Sequence, residues 1–162
     1  MENRHMKKIK VQVLDPKSFE PFGVVISTDN FEPDRVPGAF DWYGELADFN
    51  DIDHATFNLM TVYPREVKIE KFECHVKTRE AVIPLGGKGV IIPLSPPGEV
   101  TEDSIAAFYV PGNKAVVFHP GTWHYVPFTF EDSANFITAY RRDTSKDDVQ
   151  YAEPPYPMEL EI

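Results

Sequence analysis

Two stretches of this sequence decide the fold: ECHVKTREAVIPLGG at residues 73–87 and GNKAVVFHPGTWH at residues 112–124. Each joins a short β-branched run to a turn that contains glycine, a pattern typical of neighbouring strands in an antiparallel sheet. Glu73 and His75 are two residues apart, so on a strand their side chains share one face while Cys74 points to the other. His124 follows Gly121, a candidate for positive φ, at the start of another predicted strand.

Glu80 has the wrong parity to join the face of Glu73 and His75 by simple alternation. A tight corner over residues 77–79 would reset the phase and turn Glu80 inward. Together with His124, these side chains would then form one inward-facing cluster in a small β-barrel. Such a cluster holds either a divalent metal ion or a pair of acid and base groups, and the residues alone leave both alternatives open.

Short β-branched and aromatic runs, interrupted by fifteen prolines and nine glycines, fill the rest of the chain. They predict an all-β sandwich or barrel. One short helix is predicted after Asp15, which can cap it, with Pro16 in its first turn and Gly23 as its stop. Residues 31–53 have no steady period and predict a long loop with one helical turn near residues 42–46. The predicted strands cover residues 9–14, 24–28, 56–63, 67–75, 80–85, 89–94, 105–110, 115–118, 123–128 and 134–140.

The length of 162 residues predicts a single domain over residues 1–162. Its acidic, proline-rich tail from about residue 144 is expected to lie extended along the surface or on a partner subunit. The runs at residues 90–94 and 115–118 are apolar on both faces of a strand, which places them centrally between two layers. One of these layers is a candidate subunit interface, so we expect a homodimer.

The formal net charge of −10 argues against nucleic acid and against anionic membrane surfaces as partners. The sequence has no secretory leader and no apolar run near the roughly 18 residues that a membrane helix needs. The single cysteine, Cys74, has no partner for an intrachain disulfide. We therefore expect a cytoplasmic protein.

At these residues the chain resembles the ureidoglycolate lyase family, the cupin-fold enzymes that release urea and glyoxylate at the end of allantoin breakdown. The resemblance implies a cupin-type double-stranded β-helix, a jelly-roll barrel with one or two short helices. It also implies a carbon–nitrogen lyase of purine catabolism that acts as a homodimer on a small anionic substrate. The likeness is carried by Val11-Gln-Val-Leu14, Phe19, Phe22-Gly23, Glu73-x-His75, Ile83-Pro84-Leu85, Trp123-His124, Pro127 and the segment from Phe136 to Arg141.

Ureidoglycolate carries a hydroxyl, a ureido group and a carboxylate on one carbon, so its cleavage needs a base, an acid and a cation. Glu73 or His124 is the predicted base, and His75 is the acid or an orienting donor. Glu80 crowds Glu73 and would keep one proton in the pair when no metal is bound. Arg141 is the predicted clamp for the substrate carboxylate, and Trp123, Tyr125 and Arg79 are further candidates for substrate binding. If a divalent ion is bound (Ni, Mn, Fe or Zn), the predicted ligands are Glu73, His75, Glu80 and His124.

Two other functions stay open at this point. Glu80 shifts the site toward the metal-binding cupin pattern His-x-His-x4-Glu, in which Glu73 occupies the place of the first histidine. That favours a metal-dependent isomerase or dioxygenase acting on a small hydroxy or keto acid. The third alternative is a non-catalytic cupin that binds a small molecule, since a fold does not fix a function.

Overall fold

The computed structural model describes residues 7–50 and 52–162, and within them the chain forms two facing β-sheets and one separate hairpin. In spatial order, the larger sheet contains β14 (Gln150–Ala152), β7 (Phe72–Cys74), β12 (Trp123–His124), β9 (Gly87–Ser95), β10 (Ala106–Gly112), β1 (Lys8–Val13), β15 (Met158–Glu161) and β6 (Lys68–Ile69). The smaller sheet contains β2 (Gly23–Ile26), β11 (Ala115–Phe118), β8 (Glu80–Leu85), β13 (Ala134–Arg141) and β5 (Ala55–Val62). The hairpin consists of β3 (Asp34–Val36) and β4 (Phe40–Trp42).

The main hydrophobic core lies between the two sheets. Val82, Val116 and Phe136 come from the smaller sheet and pack against Ile92 and Phe108 of the larger one. These side chains alternate with residues on the outer faces because successive residues of a strand point to opposite sides. The two facing sheets confirm the predicted all-β fold class.

One end of this core is closed by the first helix, α1 (Pro16–Phe19). The Asp15 carboxylate accepts a hydrogen bond from the Lys17 amide at 2.9 Å, as the capping pattern predicted. Phe19 is fully buried, and its ring lies 5.1 Å from that of Phe108. This helix therefore fills the space between the sheets with aromatic side chains.

Most predicted strands are present, with two differences that have physical causes. The predicted strand 67–75 is divided into β6 and β7, which pair with different neighbours, β15 and β12. The predicted strand 123–128 ends after His124, because Pro127 has no amide to donate to a ladder. Beyond that proline the chain returns to β9 through one bridge between Phe128 and Ile91.

Two further expectations were wrong. The region predicted to contain a helical turn near residues 42–46 instead forms the hairpin β3–β4, with Gly38 in its turn at φ +79°. The C-terminal segment is not a surface tail: α2 (Thr144–Asp147) leads into β14, and β15 pairs with both β1 and β6. Met158 in β15 is fully buried, so this segment belongs to the core of the larger sheet.

No helix among the described residues is both long enough and apolar enough to span a membrane.

Candidate active site

Three strands and the corner after one of them bring four ionisable side chains together beside the core. Glu73 lies on β7, and His75 follows directly after that strand. Glu80 begins β8, and His124 ends β12, where its backbone is paired with Glu73. His75, Glu80 and His124 are buried, whereas 29% of the Glu73 side chain is exposed. The structure thus assembles the cluster that the sequence predicted.

The corner between β7 and β8 resets the strand phase. The Gly121 amide donates to the His75 carbonyl at 2.7 Å, and Gly121 has φ +84°, a conformation that a side chain would strain. Thr78 is buried in the corner, and its hydroxyl oxygen accepts the Arg141 amide at 3.0 Å. These contacts let Glu80 share the inner face with Glu73 and His75 although the residue numbers differ in parity.

Cys74 lies between Glu73 and His75 but on the opposite face of the strand. Its side chain is buried, and burial raises the pKa of the thiol to about 11. A thiol with such a pKa is protonated near neutral pH, so it is a poor nucleophile and a poor metal ligand.

Main-chain carbonyl groups fix the orientation of both imidazole rings. His75 Nδ1 lies 2.7 Å from the Asp148 carbonyl oxygen, and His124 Nδ1 lies 3.1 Å from the Thr122 carbonyl oxygen. A carbonyl can only accept, so each Nδ1 carries a hydrogen. In the neutral ring, each Nε2 then carries a lone pair and can accept a hydrogen bond or bind a metal ion. The ring centroids are 5.1 Å apart.

The Glu80 carboxylate is the closest charged neighbour of His124. Its Oε2 lies 2.9 Å from His124 Nε2, and Glu73 Oε1 lies 3.7 Å from the same nitrogen. The nearer oxygen is within hydrogen-bonding distance but lies out of line with the ring, so the buried Nε2 has no aligned partner. This contact is therefore an ion pair, and the nitrogen keeps a direction in which it can bind a ligand.

The two partners shift each other's pKa values in opposite directions. Burial by itself would raise the pKa of the Glu80 carboxyl, but the electrostatic attraction of His124, with that of His75, outweighs burial and lowers the pKa. Burial by itself would lower the pKa of His124, but Glu80, the Thr122 carbonyl and Glu73 together raise it. The charged forms of both groups are therefore favoured together.

The cluster also has the geometry of a metal-ligand set. One ligand atom each from Glu73, His75 and His124 lie within 4.8 Å of one another. Two imidazole nitrogens and carboxylate oxygens suit Mn, Fe, Ni or Zn. The unaligned Nε2 of His124 and the lone pair of His75 Nε2 are the donor atoms that such an ion needs, so the residues present fit a divalent metal.

A pocket with a mostly apolar wall adjoins the cluster. The polar side chains in this wall are Glu73, Glu80, His124, Tyr125 and Thr138. Arg65 braces one side by donating to the carbonyls of Val126 and Pro127 at 2.7 and 2.8 Å. The apolar residues of the wall are Met60, Val82, Ile92, Phe118, Val126, Pro127 and Phe136.

Of the predicted substrate-binding residues, the structure brings Tyr125 to this pocket and places the other three elsewhere. Trp123 donates from its indole nitrogen to the Gly98 carbonyl at 2.8 Å and packs on the outside of the larger sheet. Arg79 lines a separate surface cavity with Lys77. The Arg141 guanidinium is paired with Asp147.

Two residues near the cluster were missed by the sequence analysis. The Tyr140 ring lies edge-on to His75, with centroids 5.9 Å apart, and burial followed by the Glu80 carboxylate raises the pKa of its phenol. Strand alternation could have found Tyr140, because it shares parity with Thr138 and Phe136 on β13. Asp148, which holds His75 and the corner after it, lies 73 residues along the chain from that histidine, and no local pattern marks it.

A family model described as ureidoglycolate lyase matches residues 6–161 of the chain. Among curated proteins, a ureidoglycolate lyase of Pseudomonas syringae pv. syringae is 27% identical over 169 residues, covering 95% of this chain and 99% of the relative. A ureidoglycolate lyase of Pseudomonas savastanoi pv. phaseolicola is 28% identical and covers 84% of each chain.

Two solved structures of Bacillus subtilis oxalate decarboxylase, one of them studied for its Mn(II) centres, are similar at 16% identity and a TM-score of 0.42. They cover 55% and 61% of this chain, which corresponds to 22% and 23% of the oxalate decarboxylase chains.

Proposed function

The chain belongs to the ureidoglycolate lyase family, and we propose that it cleaves ureidoglycolate to glyoxylate and urea at the cluster of Glu73, His75, Glu80 and His124. The observation that carries this proposal is the buried pairing of His124 with Glu80 beside the partly exposed Glu73. It supplies a proton donor and a proton acceptor at the wall of one small pocket.

The reaction needs one proton removed and one delivered. As a base takes the hydroxyl proton, the electron pair of the O–H bond forms the carbonyl of glyoxylate, and the pair of the C–N bond leaves with the urea nitrogen. That nitrogen then takes a proton, so atoms and charge balance without an oxidant or a co-reactant. Removal and delivery of the proton are the two tasks that the cluster must perform.

We assign proton removal to Glu73 and proton delivery to His124. Glu73 is the most accessible carboxylate of the cluster, while the raised pKa of His124 favours a proton on that ring. Glu80 keeps its charge next to the imidazolium and so supports the protonated form of His124. His75, whose Nδ1 hydrogen is committed to the Asp148 carbonyl, keeps Nε2 as an acceptor beside His124.

Until it delivers its proton, the His124 imidazolium is the positive charge that we propose attracts the substrate carboxylate. Arg141, the partner expected from the sequence, would have to leave Asp147 to reach the pocket. It lines a different cavity, with Asp53, His54, Arg142 and Asp143. We assign hydrogen bonding of the ureido group to the hydroxyls of Tyr125 and Thr138, two residues of the pocket wall.

The same cluster supports a metal-bound form of the enzyme. Glu73, His75 and His124 would hold the ion, with Glu80 beside them. A divalent ion there would polarise the hydroxyl group and offset the charge of the substrate carboxylate. His75 and His124 would keep their Nδ1 hydrogens on the same carbonyl groups, which orients both Nε2 atoms toward the ion.

The experiment that tests this function follows urea, glyoxylate and ammonia from fresh ureidoglycolate, against a blank for spontaneous decay. We expect urea and glyoxylate to appear together and without ammonia. Parallel assays after treatment with a chelator, and after adding back Mn, Ni, Fe or Zn, separate the metal-free form from the metal-bound form. Absence of both products from folded, metal-supplemented protein would overturn the proposed function.

We also propose a homodimer that uses the outer face of the smaller sheet. Phe57 and Leu59 on β5 are 75% and 65% exposed, and Leu85 on β8 is 49% exposed on the same face. Adjacent exposed apolar side chains of this size are typical of an interface. Light scattering should report a dimer that Leu59→Glu dissociates, while Val13→Glu, at an exposed position on the other sheet, leaves it intact.

A cytoplasmic location completes the proposal. It is supported by the single cysteine, which has no intrachain partner. Cell fractionation tests it.

A further inference from the structure

The Asp148 side chain is a buried carboxylate outside the pocket wall. Only 4% of the residue is exposed. Its Oδ1 accepts the Val76 amide at 3.0 Å, and its Oδ2 accepts the Lys77 amide at 2.8 Å. Its own carbonyl oxygen accepts Nδ1 of His75 at 2.7 Å. One residue thus makes three hydrogen bonds to three consecutive residues, beginning at a member of the cluster.

These bonds act on two features of the cluster at once. The bond to the carbonyl fixes both the ring orientation of His75 and the position of its hydrogen, and so leaves Nε2 as an acceptor. The bonds to the carboxylate hold the first two residues of the corner that leads to Glu80. A change in that corner would move His75 and Glu80 together, because the corner connects them.

Asp148 is itself held in place by the segment before it. Its amide donates to the Thr144 carbonyl at 3.0 Å, which closes α2. The Thr144 hydroxyl donates to the Arg141 carbonyl at 2.5 Å, and the Arg141 amide donates to the Thr78 hydroxyl oxygen in the same corner. The segment 141–148 therefore forms a closed brace around the corner 76–79.

We propose that Asp148 is a positioning residue that sets the tautomer of His75 and the geometry of the corner, and thereby the activity of the cluster. This inference rests on the proposed function for its effect on catalysis, but its effect on His75 does not depend on any substrate. The Asp148 carboxylate contacts neither the pocket wall nor a reacting atom. It acts through the Val76 and Lys77 amides, which hold Asp148 in the position from which its main-chain carbonyl bonds His75.

The test compares Asp148→Asn and Asp148→Ala with Asp147→Asn in the full chain. Asparagine keeps one acceptor but turns an amide donor toward a backbone amide, and alanine removes both acceptors. Asp147 is the neighbouring carboxylate and pairs with Arg141 outside the cluster, so its variant is the matched control. Loss of an outer partner of a site histidine typically lowers activity by about 10–100-fold, and we expect kcat to fall in this range while KM changes less.

The decisive readout is the tautomer of the neutral His75 ring, measured by ¹⁵N NMR of its ring nitrogens. We expect the Nδ1–H form in the wild type and in Asp147→Asn. In both Asp148 variants we expect a mixture with the Nε2–H form, because without the bonds to the Val76 and Lys77 amides the carbonyl at position 148 can move away from His75 Nδ1. If Asp148→Ala does not fold, Asp148→Asn carries the same comparison. A folded Asp148 variant that keeps the Nδ1–H form would overturn the inference. A shifted tautomer in a protein whose wild type does not cleave ureidoglycolate would support the positioning role and overturn the lyase assignment.

Discussion

Two neighbouring regions of the interior are buried in different ways. In the aromatic region, the rings of Phe19, Phe22, Phe108 and Phe118 pack with centroids 5.1 to 6.5 Å apart. In the ionisable region, His75, Glu80 and His124 are buried, and both imidazoles hydrogen-bond main-chain carbonyl groups. Apolar burial is non-directional and tolerates many arrangements, whereas a buried polar group must find a partner in a defined direction.

Phe118 shows how closely these two environments meet. Its ring lies 6.5 Å from Phe19 on one side and 5.1 Å from the His124 imidazole on the other, and its backbone is paired with Glu80. The aromatic region should therefore determine stability and the ionisable region should determine activity, although the same strands build both.

The largest effect is expected from His124→Gln in the ionisable region. This change removes the group assigned to proton delivery, so kcat/KM for ureidoglycolate should fall by roughly 10³-fold, within the range of general acid catalysis. The matched control is His119→Gln, because His119 is outside the cluster and bonds to the Glu20 carbonyl. Similar kinetics for the two variants would remove the assigned role of His124.

The second-largest effect is expected in the aromatic region. Phe19→Ala leaves a cavity among three other aromatic rings and should lower the free energy of unfolding by about 3–5 kcal/mol. Denaturant titration measures this loss. The protein that remains folded should keep wild-type kcat, since Phe19 is not in the pocket wall. A loss of kcat as large as that of His124→Gln would show that the aromatic region also determines activity.

A smaller effect is expected in the pH dependence of stability in the presence of a chelator. The pKa of His124 is raised above 6.5, so its contribution is fully present below pH 6.5 and is lost as the pH rises through the pKa of the folded state. The pKa of Glu80 is lowered below 4.5, so its contribution is present above pH 4.5 and is lost as the pH falls through the lower pKa. Both contributions to stability are fully present between pH 4.5 and pH 6.5.

Unfolding titrations should therefore show that the wild type loses more stability than His124→Gln as the pH rises from 6.5. They should also show that it loses more than Glu80→Gln as the pH falls below 4.5. Parallel curves for the wild type and both variants would mean that the ion pair does not contribute to stability.

The smallest effect is expected from Cys74→Ala. The thiol lies between Glu73 and His75 but on the other face of β7, and its raised pKa keeps it protonated. Activity should therefore stay within about twofold of the wild type, and the free energy of unfolding should fall by about 1 kcal/mol for the lost buried sulfur. A large loss of kcat, measured with the same urea assay, would place the thiol in the chemistry.

Much of the strand arrangement could be predicted because β-branched runs between glycine and proline turns carry a local signal. Parity placed Glu73 and His75 on one face and Cys74 on the other, and the proposed corner brought Glu80 to the same side. The C-terminal strands were missed because their short runs are interrupted by prolines. They became strands by pairing with β7 and β1, which lie far away in the sequence.

The sequence by itself determined the all-β class, the helix cap at Asp15 and the side-chain types of the cluster, because each follows from interactions within a few residues. Only the tertiary structure decided that Arg141 pairs with Asp147, that Tyr140 lies against His75 and that Asp148 holds the corner. The orientation of His75 depends on a hydrogen bond to a residue 73 positions away in the chain. Such a bond has no local pattern, because it exists only after the sheets have packed.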